Sequence, residues 1–392
     1  SEMCIRDRYK AGQTLNEGDC NVFIGQYAGY SGSSAYKSVM IGPNAGQGQQ
    51  NGGYNVFLGM NTGYSGTGGN YNFFGGYNAG KCHGTSSCSI KIGYYAGHEG
   101  SGFDVIALGA AAARCGTTHE DTIYIGHSAG KCQKTGSDNI ALGQCALLGS
   151  STVNANTGGC NIALGRQAGQ NLSDGQYNIF FGKYAGNGNT GGDCNIMIGC
   201  NAGKGITTAN ENISIGGLGL QSAAGNMNVQ IGRYGQHYMC GACNISLGQN
   251  TMQGTTTAAD NLGHTNIAIG RNAMFYEKTG CYNIAIGENA LYGAASGILY
   301  NSNIAIGNNA GASNTTGTSK NCLGTQTIDS LTTSNYNVAI GVAALQAIGD
   351  DSNNVAVGYR ALYNSTVSNL SLIHISEPTR RTPISYAVFC LK

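Results

Sequence analysis

The feature that most constrains this chain is a nine-residue motif that returns about every 17 residues. Asn21-Val22-Phe23-Ile24-Gly25-Gln26-Tyr27-Ala28-Gly29 recurs as NVFLGMNTG from Asn55, NIALGRQAG from Asn161, NIMIGCNAG from Asn195 and NIAIGNNAG from Asn303. The consensus is N-[IV]-x-[IL]-G-x-x-A-[GL]. Twenty copies begin at positions 21, 38, 55, 72, 89, 105, 122, 139, 161, 178, 195, 212, 228, 244, 266, 283, 303, 320, 337 and 354. Thirteen of the nineteen spacings are 17 residues and three are 16; 139→161, 244→266 and 283→303 are 22, 22 and 20. So regular a step leaves no composition break. Positions 9–369 therefore read as a single repeat domain, an all-β parallel β-solenoid of about 20 coils.

One copy shows why. N-I-x-I-G alternates apolar and variable residues, which is strand periodicity. The first and third residues after the Asn are expected to share a buried face. A lone coil cannot bury it, but stacked coils can, with strands pairing in parallel at ~4.8 Å and a rod of roughly 95 Å. Gly at the strand end accepts a positive φ, and the following Ala suits a tight corner. Helices are disfavoured by the recurrent Gly and β-branched residues. The longer spacings are expected as lateral loops that leave the core unbroken. The middle strand residue is large in early copies (Phe23, Met40, Phe57, Phe74, Tyr124, Phe180, Met197) and mostly Ala later (Ala268, Ala285, Ala305, Ala339, Ala356). By alternation it is expected to point outward, and that apolar row is expected to be covered by a second subunit, with a loop folded back over the sheet or a second interior layer as the alternatives.

Composition narrows the function classes. Of 392 residues 65 are Gly, only 10% are charged and 41% are hydrophobic, with three Pro. That excludes collagen and a plain disordered tract. No run of 18 apolar residues is present, so no membrane-spanning helix is expected. A net charge of +1 gives no electrostatic case for nucleic acid. The two ends are unlike the rest. Ser1–Arg8 (SEMCIRDR), Leu370–Arg380 (LSLIHISEPTR) and Ile384–Leu391 (ISYAVFCL) resemble translated transposase-type sequencing adapters. Segments 1–8 and 370–392 are accordingly read as adapter-derived artefacts and excluded from fold reasoning. The remainder is expected to be a piece of a longer rod.

Asn leads fifteen copies: Asn21, Asn55, Asn72, Asn139, Asn161, Asn178, Asn195, Asn212, Asn228, Asn244, Asn266, Asn283, Asn303, Asn337 and Asn354. Stacked in register, these amides are expected to form a structural ladder. Two places after the repeat Gly, Tyr27, Asn44, Asn61, Asn78, Tyr95, Tyr184, Asn201, Tyr234, Asn272 and Asn289 form a candidate binding ridge, neutral and polar-aromatic, suited to glycans if exposed. Thirteen cysteines remain once Cys4 and Cys390 are set aside. Cys115 and Cys132 occupy equivalent places in adjacent coils, within disulfide reach. Cys82 and Cys88 could close a small ring. Reduced thiols acting as small core residues are the alternative.

Chemistry is sparsely encoded. Cys82, His83, Cys88 and His98 have poor metal-knuckle spacing, and no metal or cofactor is expected. Cys240-Gly241-Ala242-Cys243 lacks the βαβ setting of a redox motif. The six histidines outside the terminal segments (His83, His98, His119, His127, His237, His264) match no catalytic pattern and are expected in solvated loops. Gly186–Gly191 satisfies G-x-G-x-x-G, a chance match in so glycine-rich a chain. Asn171, Asn314 and Asn364 begin glycosylation sequons.

NIAIGENALYG from Asn283 and NVAVGYRALYN from Asn354 carry a family resemblance. The repeat resembles the head repeats of YadA-type trimeric autotransporter adhesins and the related repeats of phage and viral tail fibres. The resemblance covers residues 21 to about 369. It implies a left-handed β-roll, usually a homotrimer, that presents an attachment surface. The coil is longer than the usual autotransporter head repeat and unusually rich in Cys. The expected function is an extracellular, cell-surface or virion fibre or adhesin shaft without catalysis, with self-association and a cell-surface glycan or receptor as partners. A self-assembling structural filament is the alternative. An ice-binding solenoid is a weaker third, because a regular Thr array is missing.

Overall fold

The structure, a computed structural model, describes residues 5–14, 18–31, 34–150, 156–221, 225–254, 261–293, 301–314, 316–328, 333–346, 351–363 and 371–373. The described residues form an all-β parallel solenoid without a helix. Each copy contributes one three-residue strand, from Val22–Ile24 through Ile140–Leu142 and Ile162–Leu164 to Val355–Val357. These strands belong to one 22-stranded parallel sheet. Register is constant: Val22 pairs with Val39, Phe23 with Met40 and Ile24 with Ile41. Ser34–Tyr36 and Asn51–Gly53 add a two-stranded parallel sheet at another corner.

The three longer spacings leave the ladder intact. Ile140 still pairs with Ile162, Ile245 with Ile267 and Ile284 with Ile304. The inserted segments 151–155, 255–260 and 294–300 lie outside the described residues. Ile5–Asp7 and Ser371–Ile373, within the segments that resemble adapter translations, extend the ladder by one strand at each end.

Stacking continues around the turns. The Val22 amide donates to the Ser38 carbonyl at 2.9 Å and the Gly29 amide to the Ala45 carbonyl at 2.9 Å. The coils are so close at the strand end that a Cβ on Gly25 would meet the Gly42 carbonyl oxygen at 2.6 Å, and Gly25 has φ +129°. Only glycine fits there.

The strand faces are the reverse of the sequence expectation. The middle residue is the buried one: Phe23, Met40, Phe57, Phe74, Tyr124, Phe180 and Met197, and Ala268, Ala285, Ala305, Ala339 and Ala356 in later coils, are all fully buried. The first and third residues, such as Val22 and Ile24, face out and are half-buried or exposed. The Asn sets this parity. It turns inward to bond the coil's own backbone, so alternation sends the next residue out, the middle one in and the third out. The proposed subunit cover over the middle row is therefore withdrawn, because that row lines the lumen.

The apolar lumen has three stretches, roughly Ala11–Ala79, Val105–Leu220 and Met239–Ala361. Polar side chains fill the gaps. Lys91 takes a strand-centre place at the first, and Ser214, Gln230 and Ser246 occupy successive ones at the second. Within the second gap the Ser214 hydroxyl meets Gln230 Oε1 at 2.8 Å, and Gln236 Nε2 donates to Ser246 Oγ at 3.0 Å.

Candidate functional site

The Asn column is buried and works as a brace. Asn178 Oδ1 accepts the backbone N–H of Asn195 at 2.9 Å, while its Nδ2 donates to the Gly192 carbonyl of its own coil at 2.8 Å. The pattern repeats at Asn161, Asn195, Asn266 and Asn303. Each amide thus ties one coil to the next and closes its own turn. Ser38 substitutes in part, its hydroxyl accepting the Asn55 N–H at 3.2 Å.

With Asn inside, the outward strand face becomes a long, uniform apolar surface of the described chain. Its two rows run through the twenty repeat strands, and only Gly75 and Asn321 interrupt the apolar side chains. Phe181 is 52% exposed, Ile340 41% and Ile231 40%. No outward position of these twenty strands carries a charge. Alternation made this face legible, once the Asn was known to point inward.

The candidate ridge occupies a different column. Tyr27, Asn44, Asn61, Tyr95, Tyr184, Asn201, Tyr234, Asn272 and Asn289 are half-buried, Asn78 is buried, and all have φ near +55°. That backbone region favours Asn among non-glycine residues, which gives the recurrence of Asn a local cause. Asn44 Nδ2 donates to Asn61 Oδ1 at 2.9 Å, and Asn272 Nδ2 to Asn289 Oδ1 at 3.1 Å. The tyrosines are engaged by neighbours: Tyr27 edge-on with Tyr9 and Tyr30, Tyr95 under the Arg114 guanidinium, Tyr184 beside Lys183 and Lys204. One residue earlier stands a more exposed row, with Met60, Tyr77, Tyr94 and Tyr359. The sequence analysis did not single it out.

No disulfide joins the cysteines paired on sequence. Cys115 and Cys132 lie in stacked coils, the Cys115 amide donating to the Lys131 carbonyl at 2.9 Å. Burial, then Glu99 and Cys132, push the Cys115 thiol up. They are not bonded, nor are Cys82 and Cys88, both exposed.

Three of the six histidines correct the solvated-loop expectation, while His127 and His264 are exposed and His98 is half-buried. His83, His119 and His237 are buried. His83 sits inside the coil, Nδ1 against the Gly80 carbonyl at 2.9 Å and Nε2 against Gln49 Oε1 at 3.1 Å. It is therefore separated from the exposed Cys82 and Cys88. Among the described residues no cluster of three or more His, Cys, Asp or Glu side chains could hold a metal.

Among the described strands Lys91 is the one lysine at a centre. Its Nζ lies 3.4 Å from Ser86 Oγ, 3.3 Å from the Gly100 carbonyl and 5.1 Å from the Phe74 ring centroid. Burial brings its pKa down to about 7. Burial, then the Lys91 charge, takes His83 to about 3. His119, also held down by burial, falls to about 4.

Among the described residues no helix is long and apolar enough to cross a membrane. The chain matches no protein-family model. No curated protein matches it either.

Proposed function

We propose that this chain is the shaft of an extracellular or virion attachment fibre, and that copies associate side by side along the outward Ile/Val face. The carrying observation is that face: two apolar rows, uncharged, in unbroken register over twenty coils. It runs the length of twenty strands, where a typical monomer leaves apolar patches of about a few hundred Å² and a stable partner buries about 800 Å². Rows that repeat at ~4.8 Å are self-complementary, because a second copy carries the same spacing. The strands on either side of the three longer spacings stay paired in register. A regular rod of this kind suits spacing and presentation, with contacts repeated along its length.

Light scattering on the chain, with and without Ile196→Lys and Ile213→Lys together, tests this reading. A discrete oligomer that falls to a monomer in the double variant is expected. A monomeric unsubstituted chain contradicts it. Bundles of indefinite length in electron micrographs would favour the filament reading.

A further inference from the structure

The outward sheet face accounts for association between copies; it leaves open what the rod would hold on to. One corner of the early coils carries an open cleft of about 310 Å³, lined by Ser31, Gln47, Gly48, Gln50, Tyr64, Ser65 and Thr67. Three successive coils build it. Ser31 follows strand Val22–Ile24, the two glutamines follow Val39–Ile41, and Tyr64, Ser65 and Thr67 follow Val56–Leu58.

The backbone beneath is fixed coil to coil. The Ser31 amide donates to the Gln47 carbonyl at 2.7 Å, the Gly48 amide to the Tyr64 carbonyl at 2.7 Å, and the Ser65 amide to the Lys81 carbonyl at 2.7 Å. The lining side chains are thereby displayed from a preformed floor, which lowers the ordering cost of binding.

Their chemistry is narrow. Two primary amides, three hydroxyls and one phenol line the cleft, with no charged side chain among them. Each amide offers both donors and acceptors, as does each hydroxyl. Tyr64 adds an aromatic surface with a polar tip. Lys81 Nζ stands 5.7 Å from the Tyr64 ring centroid, outside the lining. The lining itself thus offers hydrogen bonds and one ring face without a charge, and the nearest cation stands at its edge on Tyr64. This lining matches a ligand that alternates hydroxyls with small apolar patches. The volume lies at the small end of ligand pockets, ~300 Å³, the size class of a mono- or disaccharide.

We propose that this cleft binds a neutral glycan, with one pyranose ring against Tyr64 and its hydroxyls on Gln47, Gln50 and the flanking hydroxyls. The proposal rests on the attachment-fibre reading and gives it a ligand class. It also sets the first contact at one place on the rod. In the equivalent column the next coils carry Lys81, His98, Arg114 and Lys131 after Gln47 and Tyr64, so the neutral lining ends where that basic row begins.

The test is a titration of the full chain with neutral oligosaccharides (mannan, galactan and glucan fragments) and with sialylated ones. Saturable binding of a neutral oligosaccharide is expected. Tyr64→Ala and Gln47→Ala should each weaken it roughly ten-fold or more, and Tyr64→Phe should retain most of it. Circular dichroism and oligomeric state should be unchanged in all three variants. No neutral binding, neutral binding that the variants leave intact, or binding of sialylated glycans alone would each overturn the proposal. The fibre reading fails separately, on a monomeric chain in light scattering.

Discussion

Gly63 faces Phe57 across the lumen so closely that a Cβ on the glycine would lie 2.7 Å from the phenylalanine ring. The same opposition joins Gly29 to Phe23, Gly80 to Phe74, Gly130 to Tyr124 and Gly186 to Phe180. In later coils the arrangement is exchanged. Ala285 and Ala339 stand at the strand centre, and buried Leu291 and Leu345 take the glycine's place at φ +47° and +51°. Coils of either kind carry one large group in the lumen, supplied from one side or the other, while the coils with Ala163 and Gly169 or Ala305 and Gly311 are filled by neighbours, Phe180 and Leu147 or Leu291. This explains the drift from Phe and Met to Ala along the strand centres, which on sequence suggested an outer contact.

The exchange predicts a rescue. Phe57→Ala should cost about 3–5 kcal/mol by emptying the lumen. Gly63→Leu alone should also destabilise, by overpacking against the ring. The double variant, which copies the Ala285/Leu291 pair, should be more stable than either single one, with coupling of at least ~1 kcal/mol. Chemical denaturation of the four proteins measures this, and additive losses would refute it.

Lys91 sets a pH dependence. Its folded pKa of about 7 lies below the unfolded value of 10.5. Between those values the unfolded chain holds a proton that the folded chain does not, so stability rises with pH, by up to ~1.4 kcal/mol per unit. Lys91→Met should remove that slope and raise the melting temperature at pH 7. His83 and His119, held near 3 and 4 against a usual 6.5, add a loss of stability as pH falls below about 6.5. Melting curves from pH 4 to 10 check both. A slope above pH 7 that survives the substitution would be contrary evidence.

The Asn brace predicts a graded series. Asn178→Ala leaves the buried Asn195 N–H and the Gly192 carbonyl without their partners, at about 1–3 kcal/mol each. Asn178→Ser should be milder, because Ser38 keeps the inter-coil bond at its own position. Hydrogen exchange at the Asn195 amide should accelerate in the order Asn, Ser, Ala.

Thiol reactivity should follow burial. Cys322, buried in the lumen with its pKa pushed up to about 12, should resist a maleimide in the folded chain. Exposed Cys194 and Cys243 should react within the same time. Mass spectrometry of the labelled peptides reads the difference, and fast labelling of Cys322 would place it outside the lumen.

The architecture was legible because the repeat is written in register. A 17-residue step with one N-[IV]-x-[IL]-G strand per copy admits parallel stacking and little else. The inside and outside of the strand were misassigned because burial was assigned by hydropathy alone. In a coil this narrow the inward position next to the strand belongs to Asn, whose amide must satisfy backbone groups on two coils, and the β-branched residues are left outward. The lumen histidines were missed for a related reason. His83 follows a Gly-Lys-Cys turn that reads as surface loop, and nothing local signals that the next side chain turns in to meet Gln49, 34 residues earlier. The cleft at Tyr64 escaped notice because its residues come from three coils and share no motif.

The central claim is that adjacent residues of each strand face opposite ways, the middle one inward and its Ile neighbour toward a partner copy. Ile179→Asp and Phe180→Asp, compared by circular dichroism melting and light scattering, test it most directly. Phe180→Asp should abolish the cooperative melt in its region, since it places a carboxylate where the ring is fully buried. Ile179→Asp should keep the β-sheet signal and the melt, and reduce self-association. The reverse pattern, a folded Phe180→Asp and an unfolded Ile179→Asp, would contradict the assignment of the two faces.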